Sequence, residues 1–242
     1  MDQSMYSGHG CPSSSSRRRP GEVFPPLRMS PALDPLSIRF AAHARVSKSS
    51  VLDLGCGTGI ATVAALARGA HVVAIDSDEE ALRELLVRTP KAQYPRLQVR
   101  VGCLPDLNFK YAHFSAVHVS RVLHVLDGDG LRHAFANFFR WLYPEGKLYI
   151  SALSPVGPYW NPFQAEYSRR LERQDEWPGY IESVSDYFPE WSDDDGPVHL
   201  LDGRVLRREL SAAGFVVEEI NCELLAWDPD QACCEVIAHC GP

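Results

Sequence analysis

Short, nearly continuous apolar runs alternate along this chain with stretches in which apolar residues return every third or fourth position. The runs VLDL (51–54), HVVAID (71–76), LQVRVG (97–102), FSAVHVS (114–120) and KLYISAL (147–153) have the length and unbroken character of strands buried on both faces. Between them ATVAALARGA, DEEALRELLVRT and GLRHAFANFFRWLYPEG read as helices, the first closed by Gly69 and the last by Pro144 and Gly146. An earlier helix is expected over DPLSIRFAAHARV, with Leu36, Phe40 and Ala44 at helical spacing, Asp34 as N-cap and Pro35 in the first helical position. Strands alternating with helices in this way predict a parallel sheet covered by helices on both faces.

The alternation breaks after Ser154. Residues 154 to about 197 are crowded with prolines, aromatics and acids. Regular patterning returns with a helix expected over VHLLDGRVLRRELSAAGF, and then two final strands, FVVEEINCELLAW and CCEVIAHC, parted by a turn at Asp228 and Pro229. No internal repeat is visible. Residues 1 to about 30 are rich in Ser, Pro, Gly and Arg and cannot bury enough apolar surface to offset their ordering entropy. They are expected to form a disordered tail, with Arg17, Arg18 and Arg19 as solvated charges. Residues 31–242 are expected to form one domain with an insertion at about 154–197.

Composition narrows the function classes. The chain has 242 residues, 45% hydrophobic and 23% charged, enough for one α/β domain with a buried core. A formal net charge of -7 repels a phosphate backbone at long range, which disfavours nucleic acid as a partner. The seven cysteines are odd in number and lack C-x-x-C spacing, so neither a zinc site nor a secreted disulfide framework is expected. Cys56 and Cys103 are expected as small buried hydrophobes and the compartment as reducing cytosol. No apolar run approaches a membrane span, and the start of the chain lacks the pattern of a secretory signal.

The stretch VLDLGCGTG (51–59) carries the chemistry. A parallel strand ends at the carboxyl edge of the sheet, where ligands bind in open α/β folds. Gly55, Gly57 and Gly59 let the backbone turn tightly there, and the next helix offers its N-terminus. Some twenty residues on, Asp76 ends the second strand, where a carboxylate can accept hydrogen bonds from both ribose hydroxyls of an adenosine. The spacing departs from the dinucleotide pattern G-x-G-x-x-G, whose third glycine falls on Ile60. Asp53 just before the first glycine repels a pyrophosphate but suits a ligand ammonium. These electrostatics lean toward S-adenosylmethionine, which has an amino acid end and no phosphate.

VLDLGCGTG resembles motif I of the class I S-adenosylmethionine-dependent methyltransferases, and the likeness continues through HVVAIDSDEEAL, VGCLPDLNF, SRVLHVL and WLYPEGKLYIS. It covers roughly residues 34–150 and, more loosely, the last helix and two strands. The resemblance implies a Rossmann-like three-layer sandwich, with a seven-stranded, mostly parallel sheet whose last strand is inserted antiparallel. It implies that the turn from Asp53 through Gly55, Cys56, Gly57 and Gly59 lines the cofactor, that Asp76 holds the ribose, and that Ser77 lies beside it. Cys103 and Leu104 match the place where the adenine is bracketed, although many relatives carry an acid where this chain has Cys103. Ser120 and Arg121 match the floor beneath the methionine and the acceptor. The base-methylating signatures of the Asn/Asp-Pro-Pro-Tyr type are absent, which again disfavours nucleic acid.

A sulfonium methyl is already electrophilic, so a general base is needed only for a protonated acceptor. His124, just after the fourth strand, is the expected base, with a packing or capping role as the alternative. His199 is a second candidate at the acceptor side, and His113, His118 and His133 are expected to be structural. No metal is expected. The aromatics of the insertion, Tyr159 and Trp160 foremost, are expected to wall an acceptor that is a small molecule, aromatic or amine-bearing, methylated on oxygen or nitrogen. The alternative for that segment is a small core of its own. A non-catalytic S-adenosylmethionine-binding regulator, a protein or peptide methyltransferase and a nucleotide-dependent oxidoreductase stay open beside this reading. Oligomeric state is not legible.

Overall fold

The central sheet is built from strands too apolar to face water on either side. All four residues of β1 (Val51–Leu54) are buried, and so are the first four of β2 (Val72–Asp76). Such strands require a helical layer on each face. The computed structural model of the chain describes residues 32–46, 49–192 and 196–241. The expected tail of residues 1 to about 30, with Arg17 to Arg19, lies outside the described residues, as do the acids Asp193, Asp194 and Asp195.

The element order is α1 (Pro35–Val46), β1, α2 (Ile60–Ala67), β2, α3 (Glu79–Arg88), β3 (Leu97–Val101), β4 (Phe114–Ser120), α4 (Gly128–Trp141) and β5 (Leu142–Leu153). It continues through α5 (Gln164–Glu172), β6 (Tyr180–Ile181), β7 (Val198–His199), α6 (Gly203–Ala212), β8 (Phe215–Leu225) and β9 (Asp228–Cys240). The seven-stranded sheet runs β3-β2-β1-β4-β5-β9-β8. Its first five strands are parallel, and β9 is antiparallel to both β5 and β8. This is the expected mostly parallel sheet with the last strand inserted antiparallel. The order reverses between β1 and β4, which opens a crevice at their carboxyl ends.

One face of the sheet packs Leu52, Val117 and Ile150 against Leu131, Phe135 and Phe138 of α4 and Leu206 and Leu210 of α6. The other packs Val51, Val72, Ala116 and Tyr149 against Leu36 and Phe40 of α1 and Ala65 and Leu66 of α2. Three helices start where a carboxylate caps them. Asp78 accepts from the Glu80 N–H at 2.8 Å, Asp127 from Gly130 at 2.7 Å, and Asp202 from Arg204 at 2.7 Å and Val205 at 2.9 Å. Each such cap contributes about 1 kcal/mol. Asp34 likewise accepts from the Ser37 N–H at 2.7 Å, at the start of α1.

Three boundaries differ from the sequence expectation. The helix expected to end at Pro144 ends at Trp141, and Leu142 to Gly146 enter β5 through a register shift between Phe114 and Ala116 of β4. Proline disfavours helical geometry in the residue before it, so the chain leaves the helix ahead of Pro144. The last helix begins at Gly203, because the Asp202 cap fixes its start, and Val198–His199 pairs with β6 instead. The β8–β9 turn falls at Ala226 and Trp227, closed by the Leu225–Asp228 pair.

The insertion folds around its own apolar core. Trp160, Phe163, Tyr167, Ile181, Val184, Phe188 and Trp191 cluster there and join the sheet through Leu153 and Cys233. The Tyr159 and Phe188 rings stack 5.1 Å apart and Trp160 meets Phe188 edge-on at 5.3 Å. Trp177 anchors the segment between the guanidinium groups of Arg132 and Arg208, 4.9 and 5.1 Å from its ring. Gly128 leaves room for it, since a Cβ there would lie 2.3 Å from the indole. Truncating the fully buried Trp160 to alanine should cost about 3–5 kcal/mol of stability, as large core deletions do. The shift of the denaturant midpoint at constant slope measures it.

The cysteine expectation is corrected. Cys222 and Cys234 face each other across β8 and β9 and are joined by a disulfide. Cys103 is disulfide-bonded as well and only half-buried, so it is not the small buried hydrophobe expected. Cys56, Cys233 and Cys240 are free and buried.

Candidate functional site

The crevice at the carboxyl ends of β1, β2 and β4 gathers most of the residues singled out from the sequence. Gly55, Gly57 and Gly59 all have positive φ (64°, 52° and 83°), which glycine adopts without Cβ strain. Two of them are also required by packing. A Cβ on Gly55 would lie 2.0 Å from Val122 Cγ2, and one on Gly59 would lie 2.1 Å from Leu85 Cδ1. The Gly57 N–H donates to Asp76 Oδ2 at 2.7 Å, and the Asp78 N–H donates to Asp76 Oδ1 at 2.9 Å. The Asp76 carboxylate is thereby held, half-exposed, beside the glycine turn. Ser77 next to it is exposed. Cys56 packs beneath with Ala74, Leu82 and Leu85, and burial pushes its thiol pKa well above the usual range.

Asp53 has a different place from the one expected. It is 1% exposed, and both carboxylate oxygens are engaged inside the protein. Thr62 on α2 donates to Oδ2 at 2.6 Å, and His118 Nδ1 on β4 lies 2.8 Å from Oδ1. The far ring nitrogen of His118 lies 3.3 Å from Ser37 Oγ on α1, and its ring stacks on Phe40 at 4.8 Å. Asp53 therefore ties four elements together behind the turn rather than facing a ligand ammonium. Thr62 and His118 were missed as its partners, and Ser37 as the partner of His118, because pairings across 9, 65 and 81 residues leave no periodic signal.

Leu104 is also redirected. It is 6% exposed and packs into the main core with Leu107, so its side chain does not flank a ligand. Ser120 and Arg121 close β4. Arg121 has φ 53°, a strained left-handed conformation for a side-chain-bearing residue. Its N–H donates to the Ser151 carbonyl at 2.6 Å, and its guanidinium lies 5.1 Å from the Trp227 ring at the β8–β9 turn. The hairpin tip thus bends over the end of β4.

His124 follows in a single helical turn, buried, with Nδ1 unpartnered. Burial, with help from the nearby Arg121 charge, pushes it down to about 4. His199 is not at an acceptor mouth. It is 1% exposed and its Nδ1–H donates to the Leu126 carbonyl at 2.9 Å. It sits between Trp177 and Tyr180, and burial pushes it down to about 4, against the opposing pull of the Leu126 bond. Trp160 is fully buried in the insertion core and cannot contact an acceptor, while Tyr159 is half-buried and accepts from Trp191 Nε1 at 2.9 Å.

Asp76 and Asp78 stand at the turn. Such a field repels a pyrophosphate and suits an adenosine that carries cationic groups. The donor set therefore fits S-adenosylmethionine. Among the described residues no group of three His, Cys, Asp or Glu side chains is arranged to hold a metal ion. No helix among them is long and apolar enough to cross a membrane.

Known proteins resemble the chain in sequence and in fold. Residues 51–146 match the family model for a methyltransferase domain. An uncharacterised methyltransferase of Synechocystis is 36% identical over 96 residues, 40% of this chain and 43% of that protein. A ubiquinone biosynthesis O-methyltransferase of Xanthomonas axonopodis is 30% identical over 145 residues, 58% of this chain and 59% of that protein. The chain thus spans about half the length of the curated relatives it matches. Among solved structures, an S-adenosylmethionine-dependent methyltransferase of Methanosarcina mazei superposes with a TM-score of 0.65 at 19% identity, covering 87% of this chain and 99% of that one. A Burkholderia thailandensis 1,6-didemethyltoxoflavin-N1-methyltransferase, solved with 1,6-didemethyltoxoflavin and S-adenosylhomocysteine, superposes with a TM-score of 0.60 at 19% identity. It is matched over 85% of this chain and 79% of its own.

The two buried histidines set a pH dependence. Unfolded, each titrates near its ordinary 6.5; folded, each stays neutral down to about 4. Below about 6.5 the unfolded chain binds protons that the folded chain refuses, so stability falls with pH until about 4. Replacing both His124 and His199 with asparagine should flatten the fall by up to about two protons, read from denaturant midpoints between pH 7 and 4.

Proposed function

We propose that this chain, which carries a methyltransferase domain over residues 51–146 on a class I methyltransferase fold, transfers the methyl group of S-adenosylmethionine to a small-molecule oxygen or nitrogen acceptor. The observation that carries this reading is the Asp76 carboxylate, fixed by the Gly57 and Asp78 N–H groups at the mouth of a phosphate-repelling glycine turn. Bound there, the cofactor supplies a sulfonium methyl that needs no further activation.

The residues of the chain then have three tasks. Asp76 and the glycine turn hold the adenosine, and Ser77 and the half-buried Cys103 flank it. Ser120 and Arg121 orient the acceptor, and the strained Arg121 backbone with its Trp227 contact keeps that floor rigid. His124 is neutral at pH 7 and its unpartnered Nδ1 is free to take a proton from an acceptor hydroxyl or amine. The insertion and the hairpin tip exclude water from above. The acidic chain and the acidic turn support a small acceptor over nucleic acid.

Calorimetry with S-adenosylmethionine tests it. The wild-type chain should bind, and Asp76→Ala should weaken binding at least tenfold, roughly 1.4 kcal/mol. Absence of binding by the folded wild-type chain would overturn the methyltransferase reading. Binding without turnover over a broad acceptor panel would leave the regulatory alternative.

A further inference from the structure

A row of polar side chains crosses the sheet where its apolar faces should meet. Ser120 of β4 pairs with Ser151 of β5, Ser151 pairs with Glu235 of β9, and Glu235 pairs with Asn221 of β8. Directly paired residues in a sheet project from the same face. On β1, Leu54 pairs with Val119, so the next position, Gly55 of the glycine turn, adjoins Ser120. The row therefore begins at the cofactor turn and runs outward to the exposed Asn221.

Its flanks are apolar. On one side, two residues along each strand, Tyr149 and Ile237 pack under α1. On the other, Leu153 and Cys233 pack under the insertion. Glu235 thus sits half-buried in the seam between two cores, and among the described residues its carboxylate makes no hydrogen bond or ion pair. Further along β9, the Gln231 side chain is 1% exposed and its amide oxygen is unpartnered. The buried Gln231 oxygen is costly without a donor, and the half-buried Glu235 carboxylate is stabilised by one that arrives to meet it.

The charge around Glu235 is also unbalanced. Asp34 of α1 and Glu223 of β8 bear on it with like charge, and together with burial, the largest cause, they raise its pKa. The nearby Arg39 and His118 side chains are committed elsewhere. Arg39 holds Glu219 at 2.6 and 2.7 Å, and His118 holds Asp53. No basic side chain among the described residues neutralises the Glu235 carboxylate.

We propose that this seam is the acceptor subsite, and that Glu235 recognises the ammonium group of an amine-bearing acceptor. The proposal rests on the methyltransferase reading and names the substrate class for it. Ser120 and Ser151 line the path from Glu235 to the cofactor turn.

The probes are 2-phenylethylamine and its neutral counterpart 2-phenylethanol, titrated calorimetrically into protein saturated with S-adenosylhomocysteine. The amine should bind at least tenfold more tightly than the alcohol. Glu235→Gln should remove that preference, leave S-adenosylhomocysteine affinity within twofold, and melt at or above the wild-type temperature, since it deletes a half-buried unpaired charge. Asp34→Asn, which keeps the helix cap, should weaken the amine by a smaller factor of about two to three, and carries the test if the Glu235 variant does not fold. Equal binding of amine and alcohol, no amine binding up to millimolar concentration, or unchanged amine preference in the folded variants would overturn the subsite while the cofactor reading stands. Failure of the wild-type chain to bind S-adenosylhomocysteine would remove both.

Discussion

The buried Asp53 carboxylate is the constraint on which the rest of the site depends. A carboxylate at 1% exposure is tolerable only if its oxygens are met, and here Thr62, His118 and, through His118, Ser37 meet them. Those partners lie on α2, β4 and α1. Satisfying one charge thus fixes the strand that leads into the glycine turn, the helix that leaves it, the neighbouring strand that carries Ser120 and the helix that covers the crevice. Hydrophobic packing alone leaves such elements free to slide by fractions of an ångström; a short, directional, charge-assisted network does not. Asp76 can then present its oxygens at one place, because the Gly57 N–H that orients it belongs to the same turn.

A second layer of order comes from the insertion. Its aromatics looked like a wall for an acceptor, and most of them instead build a core that makes the segment a rigid block. Trp160 is spent on that core, and His199 is spent on fixing β7 to the turn after β4. The block is keyed to the domain by Trp177 between two arginines and by the Tyr167 hydroxyl, which donates to Asp202, the cap of α6. This block flanks the polar row of β5 and β9 on one side, through Leu153 and Cys233, as the α1 core flanks it on the other. Polar residues in that seam face a space bounded by two dry cores, where an ionic contact is stronger than at an open surface.

The sequence determined the order of elements and the location of the crevice. Its strands were unbroken apolar runs, its helices carried 3.6-residue periodicity, and Asp34, Asp78, Asp127 and Asp202 stand where helices begin. The glycine turn and Asp76 were legible because their chemistry is local: a few contiguous residues and one strand end define it. Boundaries were less legible where two signals overlapped, as at Leu142 to Gly146, where apolar periodicity runs on past the last helical residue, and at Trp227, where the turn precedes the proline that announced it.

Only the tertiary structure decided what each buried polar or aromatic residue faces. Asp53 and Leu104 sit in motif positions but turn inward, Trp160 and His199 are enclosed, and Cys222 meets Cys234 across a hairpin. Glu235 carries no signal in the sequence, and strand pairing alone sets it in line with Ser151, Ser120 and the glycine turn. The physical reason is that periodicity reports which side of an element a residue occupies. Which partner lies on that side depends on strand order and on contacts between residues tens of positions apart.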